Sequence, residues 1–313
     1  MALDTAPILF NPRVVGIVAE TTTGTPVTIT TAEATLPALN ADLKYEIPAL
    51  EREPLATASP ILRPRGARSG TMTSTFELRG KGASGTPPIL PWLTACGYTD
   101  AAGTLSPTTG PTATYTIGLW RSGRRKTISG AMGTGVIRAV AGEPCYLDMT
   151  YRGVAQPNTT ETPFSPTFDT VVPPRVGATT FTIGGSTYRV PEVRIDMGNN
   201  LILRQDVTGV DSASEPTGYR AAYITKRAPT VTVAAEALPF TTKDWYDIYR
   251  DGTTAALSLI IGGTVNNTWT IAAPKLQLMQ VPEDQDREGM LVDNLVFLCL
   301  GNTGDDELTI AYS

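Results

Sequence analysis

The sequence contains no histidine. That removes Ser-His-Asp and Cys-His catalysis, histidine-liganded zinc and histidine-based pH switching together. Cysteine is scarce as well: Cys96, Cys145 and Cys299 are odd in number and form no CxxC pair. Neither a disulfide framework nor a zinc site follows, and three free thiols in a reducing compartment are expected. No long apolar run is present. The longest charge-free stretch, Gly252 to Pro274, holds Gly262-Gly263, Asn266-Asn267 and several threonines, so two strands and a turn fit it better than a membrane span. Met1 to Arg13 lacks a basic region followed by an apolar one, and no secretory signal is expected. Charge is sparse at 18% of residues, with a net of −5, which argues against strong non-specific affinity for nucleic acid. No cofactor motif is found, and these absences lean toward a structural or binding protein, not an enzyme.

What is present is turn-rich and β-rich. There are 29 glycines and 25 prolines among 313 residues, an excess that suits many turns without reaching the level of a disordered chain. Period-2 alternation recurs at Arg13–Ala19, Val27–Thr31, Thr71–Leu78, Thr114–Trp120, Val136–Val140, Cys145–Tyr151, Tyr188–Met197, Leu201–Val207, Val231–Ala237, Ala256–Ile261, Leu276–Val281 and Leu291–Leu300. Turn signals separate these runs, with a hairpin expected at Met197–Asn200. The fold class read from this is all-β: two tandem sandwich-like domains, each with one short flanking helix. Five prolines between Gln156 and Gly177 mark a linker. The boundaries are then 1–155, the linker 156–177, and 178–313. Ala32–Pro60, rich in proline, leucine and acids, reads as a long loop between strands.

The halves repeat one order of elements. Ile61–Leu78 and Tyr223–Leu238 each run from basic residues through a β stretch to Glu77 or Glu236. Short helix candidates follow, Pro88–Cys96 with Trp92 and Thr242–Tyr249 with Trp245, each stopping at a glycine. Closing strands end at Gly153 and Gly301. Charge divides unevenly: residues 1–153 carry 14 basic and 11 acidic side chains, residues 154–313 carry 11 and 19. Opposite-sign halves favour contacts of first with second over like with like.

Ser74–Thr99, "STFELRGKGASGTPPILPWLTACGYT", resembles the tail tube (major tail) proteins of long, non-contractile-tailed bacteriophages, and Asp244–Gly263 with the following "APKLQLMQVPEDQD" looks like the repeat of their two-domain members. The resemblance implies a β-sandwich with a flanking helix. It implies sheets closing into a barrel around a channel, rings stacked head to tail, and DNA passing through without specific binding. Six tube domains per ring, two per chain, would make a trimeric ring of pseudo-sixfold symmetry. The partners implied are the chain itself and other tail proteins at the tube ends, with no membrane anchor. The location implied is the virion tail, assembled in the bacterial host cytoplasm. Each half's long excursion would reach a neighbouring ring: in the first, 32–60 with Tyr45, Glu46, Ile47, Leu50 and Glu51; in the second, Thr208–Arg220.

Individual residues carry paired readings. Trp92 and Trp245 anchor each helix on its sandwich. Glu77 and Glu236 either face the channel or cap the connector that follows. Arg121, Arg124, Arg125 and Lys126 sit on a Ser-Gly turn, where solvation or an inter-subunit ion pair explains them better than nucleic-acid binding. Glu283, Asp284, Asp286 and Glu288 lack the calcium-loop spacing and read as a solvated loop. Asp196 and Asp206 flank the expected hairpin without any sign of a glycosidase pair. The competing class is a two-domain Ig-like adhesin or carbohydrate-binding module, which would carry exposed aromatics, a signal peptide or a calcium motif.

Overall fold

The computed structural model describes residues 13–52, 62–82, 85–162, 165–177 and 180–313. Of the described residues 53% are strand and 5% helix, and the strands pair antiparallel. In the first half these are β1 (Arg13–Ala19), β2 (Ala38–Glu46), β3 (Ser69–Glu77), α1 (Leu90–Thr94), β4 (Tyr98–Ala101), β5 (Thr104–Pro107), β6 (Tyr115–Arg121), β7 (Arg124–Val140), β8 (Tyr146–Ala155) and the two-residue β9 (Thr159–Thr160). The second half contains β10 (Thr180–Ile183), β11 (Ser186–Thr187), β12 (Glu192–Asp196), β13 (Asn199–Gln205), β14 (Tyr219–Arg227), β15 (Thr230–Glu236), α2 (Trp245–Arg250), β16 (Ala255–Thr264), β17 (Asn267–Leu278), β18 (Glu283–Arg287), β19 (Met290–Leu300) and β20 (Thr309–Tyr312).

One pairing order occurs twice. In the first half it runs β1-β6-β7-β8-β3-β2. The second half repeats it as β10-β16-β17-β19-β15-β12. Both short helices sit between matched strands. β9 and β20 also match, each lying on the start of the longest strand of its half. The halves are sewn together where β12 pairs with the C-terminal part of β7, Glu192 opposite Val140 through Asp196 opposite Val136, and where β20 pairs with β5.

Alternation writes the core. Along β3 and β8 every second residue is buried, including Met72, Phe76, Leu147, Met149 and Tyr151, and β15 and β19 repeat this with Val231, Val233, Leu295 and Phe297. The helices close the core. α1 carries a proline in its first turn, where the missing N–H costs nothing. α2 is capped by Asp244, whose carboxylate accepts from the N–H groups of Tyr246 (2.9 Å) and Asp247 (3.1 Å).

Four expectations from the sequence require correction. Val27–Thr31 is not a strand; Thr31–Glu33 forms a single 3-10 turn held by a Thr30–Glu33 capping box. The stretch 32–60 is not one loop, because Ala38–Glu46 alternates buried Ala41 and Leu43 with exposed polar residues and enters the sheet as β2. Met197–Asn200 does not close a hairpin: at Gly198 (φ +61°) the chain leaves the large sheet, and β13 pairs with β14 in a separate two-stranded sheet. A side chain there would collide with the Ala228 carbonyl. The acidic stretch 283–287 is a strand, paired Glu283–Asn294 to Arg287–Met290. The proline-rich segment lies against the first half through β9, the Asp169 N–H donating to the Thr35 carbonyl (3.0 Å), and a bridge from Arg175 to Pro144.

Candidate assembly surface and channel face

Eight strands form one continuous sheet across both halves, in the order β2-β3-β8-β7-β12-β15-β19-β18. Each half gives four. One face is the buried core. The other is polar and half exposed, floored by hydroxyls such as Thr71, Thr73, Thr75, Thr134, Thr150, Thr230 and Thr232. Its carboxylates are Asp42, Glu46, Glu77, Asp148, Glu192, Asp196, Glu236 and Glu283, against the cations Lys44, Arg138, Arg152, Arg194 and Arg287. Acid therefore exceeds base on this face. Several charges are tied down: Arg138 reaches Asp148 (3.5 Å) and lies 5.1 Å over the Tyr146 ring, and the Thr75 hydroxyl donates to Asp148 (2.8 Å).

Glu77 and Glu236 fall at the same place, the last residues of β3 and β15, on this polar face. Glu77 also holds the connector, accepting from Arg79 at 2.7 Å, while Arg79 donates onward to the Asp169 carbonyl at 2.7 Å. Trp92 and Trp245 occupy matched seats under the sheet. The Trp92 ring lies 4.6 Å from Phe76 and 5.5 Å from Tyr151; Trp245 lies 6.0 Å from Phe297, the residue in register with Tyr151.

The basic turn is folded onto β2 of its own half. Ser122 and Gly123 have φ of +42° and +85°, the two left-handed positions of a tight hairpin turn. Arg121 pairs with Asp42 at 3.3 Å, Arg125 with Glu161 at 2.7 Å, and Lys126 donates to the Leu43 carbonyl at 3.2 Å; Arg124 is exposed. Tyr45 is locked by a two-way bond, its hydroxyl donating to the Thr127 carbonyl (3.0 Å) and accepting from the Thr127 N–H (2.8 Å). Burial pushes its phenol up to about 12.

Beyond Tyr45 and Glu46 an arm leaves the sheet. Ile47 and Leu50 are exposed, Glu51 pairs with Arg63 (3.1 Å), and the Leu50 and Gly66 N–H groups bond to Pro64 and Pro48 across it. Residues 53–60 of the expected stacking loop lie outside the described residues. At the matched point of the second half, β13 and β14 lie against β7 and β8, with Ala222 and Ile224 clustered on Met132. Arg68 joins the first-half arm to the turn between β13 and β14, pairing with buried Asp211 at 2.7 Å and donating its N–H to the Thr217 carbonyl. Sequence reasoning missed this contact because the two residues stand 143 apart and neither lies in a motif.

A second missed feature is the open end of the second half. Beside β18 lies a cavity of about 520 Å³ lined by Leu238, Phe240, Trp245, Val281, Asp284 and Asp293 among others. Large apolar side chains stand exposed there, Phe240 at 79%, Leu291 at 56% and Met290 at 52%. Burial, and the neighbouring Asp284 carboxylate second, raise the pKa of Asp293. Among the described residues no cluster of metal-ligating side chains occurs, and no helix is long and apolar enough to cross a membrane. The arrangement is a polar sheet face bounded by two strand edges that no described strand covers, suited to contact with other surfaces.

A family model described as phage tail tube protein matches residues 12–289. No curated protein sequence matches the chain significantly.

Proposed function

We propose, from the premise that this chain belongs to the phage tail tube protein family, that three copies close a ring whose inner wall is the eight-stranded sheet. As a tail tube protein it is a structural component of the virion tail, and self-assembly into a tube is its role. In our reading residues 1–155 and 178–313 are two tube domains joined by the segment 156–177. Rings stack head to tail, DNA passes along the bore during ejection, and other tail proteins close the tube ends. Assembly takes place in the host cytoplasm, and the tail is of the long non-contractile type. No catalytic step is assigned.

The observation that carries this reading is the continuous sheet with four strands from each half. Three copies supply twenty-four strands. At about 4.8 Å per strand the untilted circumference is about 115 Å and the backbone diameter about 37 Å, which a tilt of about 40° widens to about 48 Å. Side chains reaching about 5 Å inward from each wall leave a bore of roughly 27 to 38 Å, which admits a duplex about 20 Å across. Six copies would double the backbone width and lose any guidance of the duplex. The polar face becomes the bore, with Glu77 and Glu236 on it. Its acidic excess keeps DNA from adhering, since phosphate affinity depends on uncompensated cations. The first-half arm with Ile47 and Leu50, and the turn between β13 and β14, reach the next ring. Native mass spectrometry of the smallest closed assembly tests the stoichiometry. A mass three times the 33.2 kDa chain is expected, and a sixfold mass would overturn it.

A further inference from the structure

The junction inside the chain is a template for the junction between chains. The two halves share one strand register: Ser74 stands opposite Met149 as Val233 stands opposite Leu295, and the Leu78 N–H bonds to Cys145 as the Ala237 N–H bonds to Leu291. Carried along β8 and β19, this register puts Glu283–Arg287 of β18 in the place of Val136–Val140 of β7. It likewise puts Asn40–Lys44 of β2 in the place of Glu192–Asp196 of β12. In the chain, those two places are paired. At the outer ends their equivalents, β18 and β2, each have a partner on one side only among the described residues.

We infer that β18 of one copy pairs antiparallel with β2 of the next, Asn40 opposite Arg287, Asp42 opposite Gln285 and Lys44 opposite Glu283. This rests on the tail tube reading and names the surfaces that carry it.

Three further observations favour a second copy as the occupant. The Met197 N–H donates to Gly135 and the Ala141 N–H to Pro191, so odd-numbered residues of β12 turn their backbone groups to β7. On β2 the matching carbonyls, Ala41 and Leu43, accept from the side chains of Arg13 and Lys126. These cations blunt the free edge in the single chain, a common guard against uncontrolled pairing, and they swing aside when a strand arrives. Second, charge is complementary: Arg13, Arg121 and Lys126 gather at β2, while β18 carries Glu283, Asp284 and Asp286. Third, Leu291, exposed beside β18, has a covered equivalent at the first junction, Cys145, which is buried.

Even-numbered residues of β2 and the odd-numbered residues of β18 opposite them form the close, non-hydrogen-bonded pairs, with Cα atoms about 4.5 Å apart, within disulfide range. The test is Asp42→Cys with Gln285→Cys in the full chain, assembled and then oxidised; the native thiols are buried. Covalent dimers and trimers, and nothing larger, are expected on non-reducing gels. The single variants, and the pair Asn40→Cys with Glu283→Cys displaced by four residues, should remain monomeric. Tubes that form without the cross-link, or that cross-link only through the displaced pair, overturn the register and leave the tail tube reading standing. Failure of the unaltered protein to form rings or tubes overturns both. Should the cysteine pair itself impede assembly, charge exchange decides. Lys44→Glu and Glu283→Lys should each slow assembly about two- to fivefold and together restore it; a double variant no faster than the singles overturns the pairing.

Discussion

Replacing Trp92 by alanine tests whether the short helix is an anchor of the sheet or an ornament on it. Trp92 is 1% exposed, and its ring is wedged between Phe76 and Tyr151. The Tyr151 hydroxyl also donates to the Trp92 carbonyl at 2.9 Å, a bond that survives the substitution. The loss is therefore transfer and cavity alone, in a place walled by two paired strands that cannot collapse inward. That puts the cost near the upper part of the range for such truncations, about 4 kcal/mol. For 313 residues the unfolding entropy is about 0.66 kcal/mol/K, so Tm should fall by about 6 °C. Trp245→Ala should cost about half as much, because Trp245 is 7% exposed and already borders the cavity beside β18. Calorimetry or circular dichroism on the unassembled subunit reads both. Equal losses, or a Trp92 loss under about 1.5 kcal/mol, would refute the account of a tightly wedged first anchor and a looser second one.

The remaining expectations are read from the same contacts. Burial pushes the thiols of Cys145 and Cys299, and the phenol of Tyr45, each up to about 12. Unfolded, these groups lose protons nearer their ordinary values of about 8.5 and 10. Their contribution is complete below about pH 8.5 and is lost as pH rises toward 12, so a midpoint in urea that stays constant from pH 8 to 11 would contradict it. At pH 8 the folded protein should hardly react with a thiol reagent, and denaturation without reductant should release three thiols; a single thiol would mean a disulfide. Asp211→Ala leaves Arg68 without its 2.7 Å partner and the 211–215 turn without the carboxylate that accepts from Ala213 and Glu215. It should cost about 2 kcal/mol and speed amide exchange over 208–218; unchanged exchange there would dismiss the contact. Deleting Ala38–Ser59 should prevent soluble expression, since it removes β2 and buried Leu43; a soluble deletion variant would show that β2 is dispensable.

Much of the fold was legible because alternation survives wherever one sheet face is buried. The strand-helix-strand order around Trp92 and Trp245 could be read in the chain for that reason, as could the matched glutamates Glu77 and Glu236. β2 was not legible: Pro37 and Pro48 bracket it, and its polar positions Asn40, Asp42, Lys44 and Glu46 look like loop. β18 was hidden more deeply, since Glu283, Asp284, Gln285, Asp286 and Arg287 are all exposed and no apolar period marks them. Both are edge strands, half satisfied within one chain, and such strands carry the weakest pattern because their second neighbour lies elsewhere. The sheet crossing from β7 to β12 was illegible for another reason, as pairing between distant segments leaves no local trace.

The central claim is that the eight-stranded sheet of each chain is one third of a closed wall. An electron cryomicroscopy reconstruction of the assembled tube addresses it directly. The account predicts three chains per ring and a continuous wall of about twenty-four strands, with Thr73, Glu77 and Glu236 facing the bore and Arg124 away from it. Six chains per ring, or a bore lined instead by the β1–β6 side of the molecule, would contradict it.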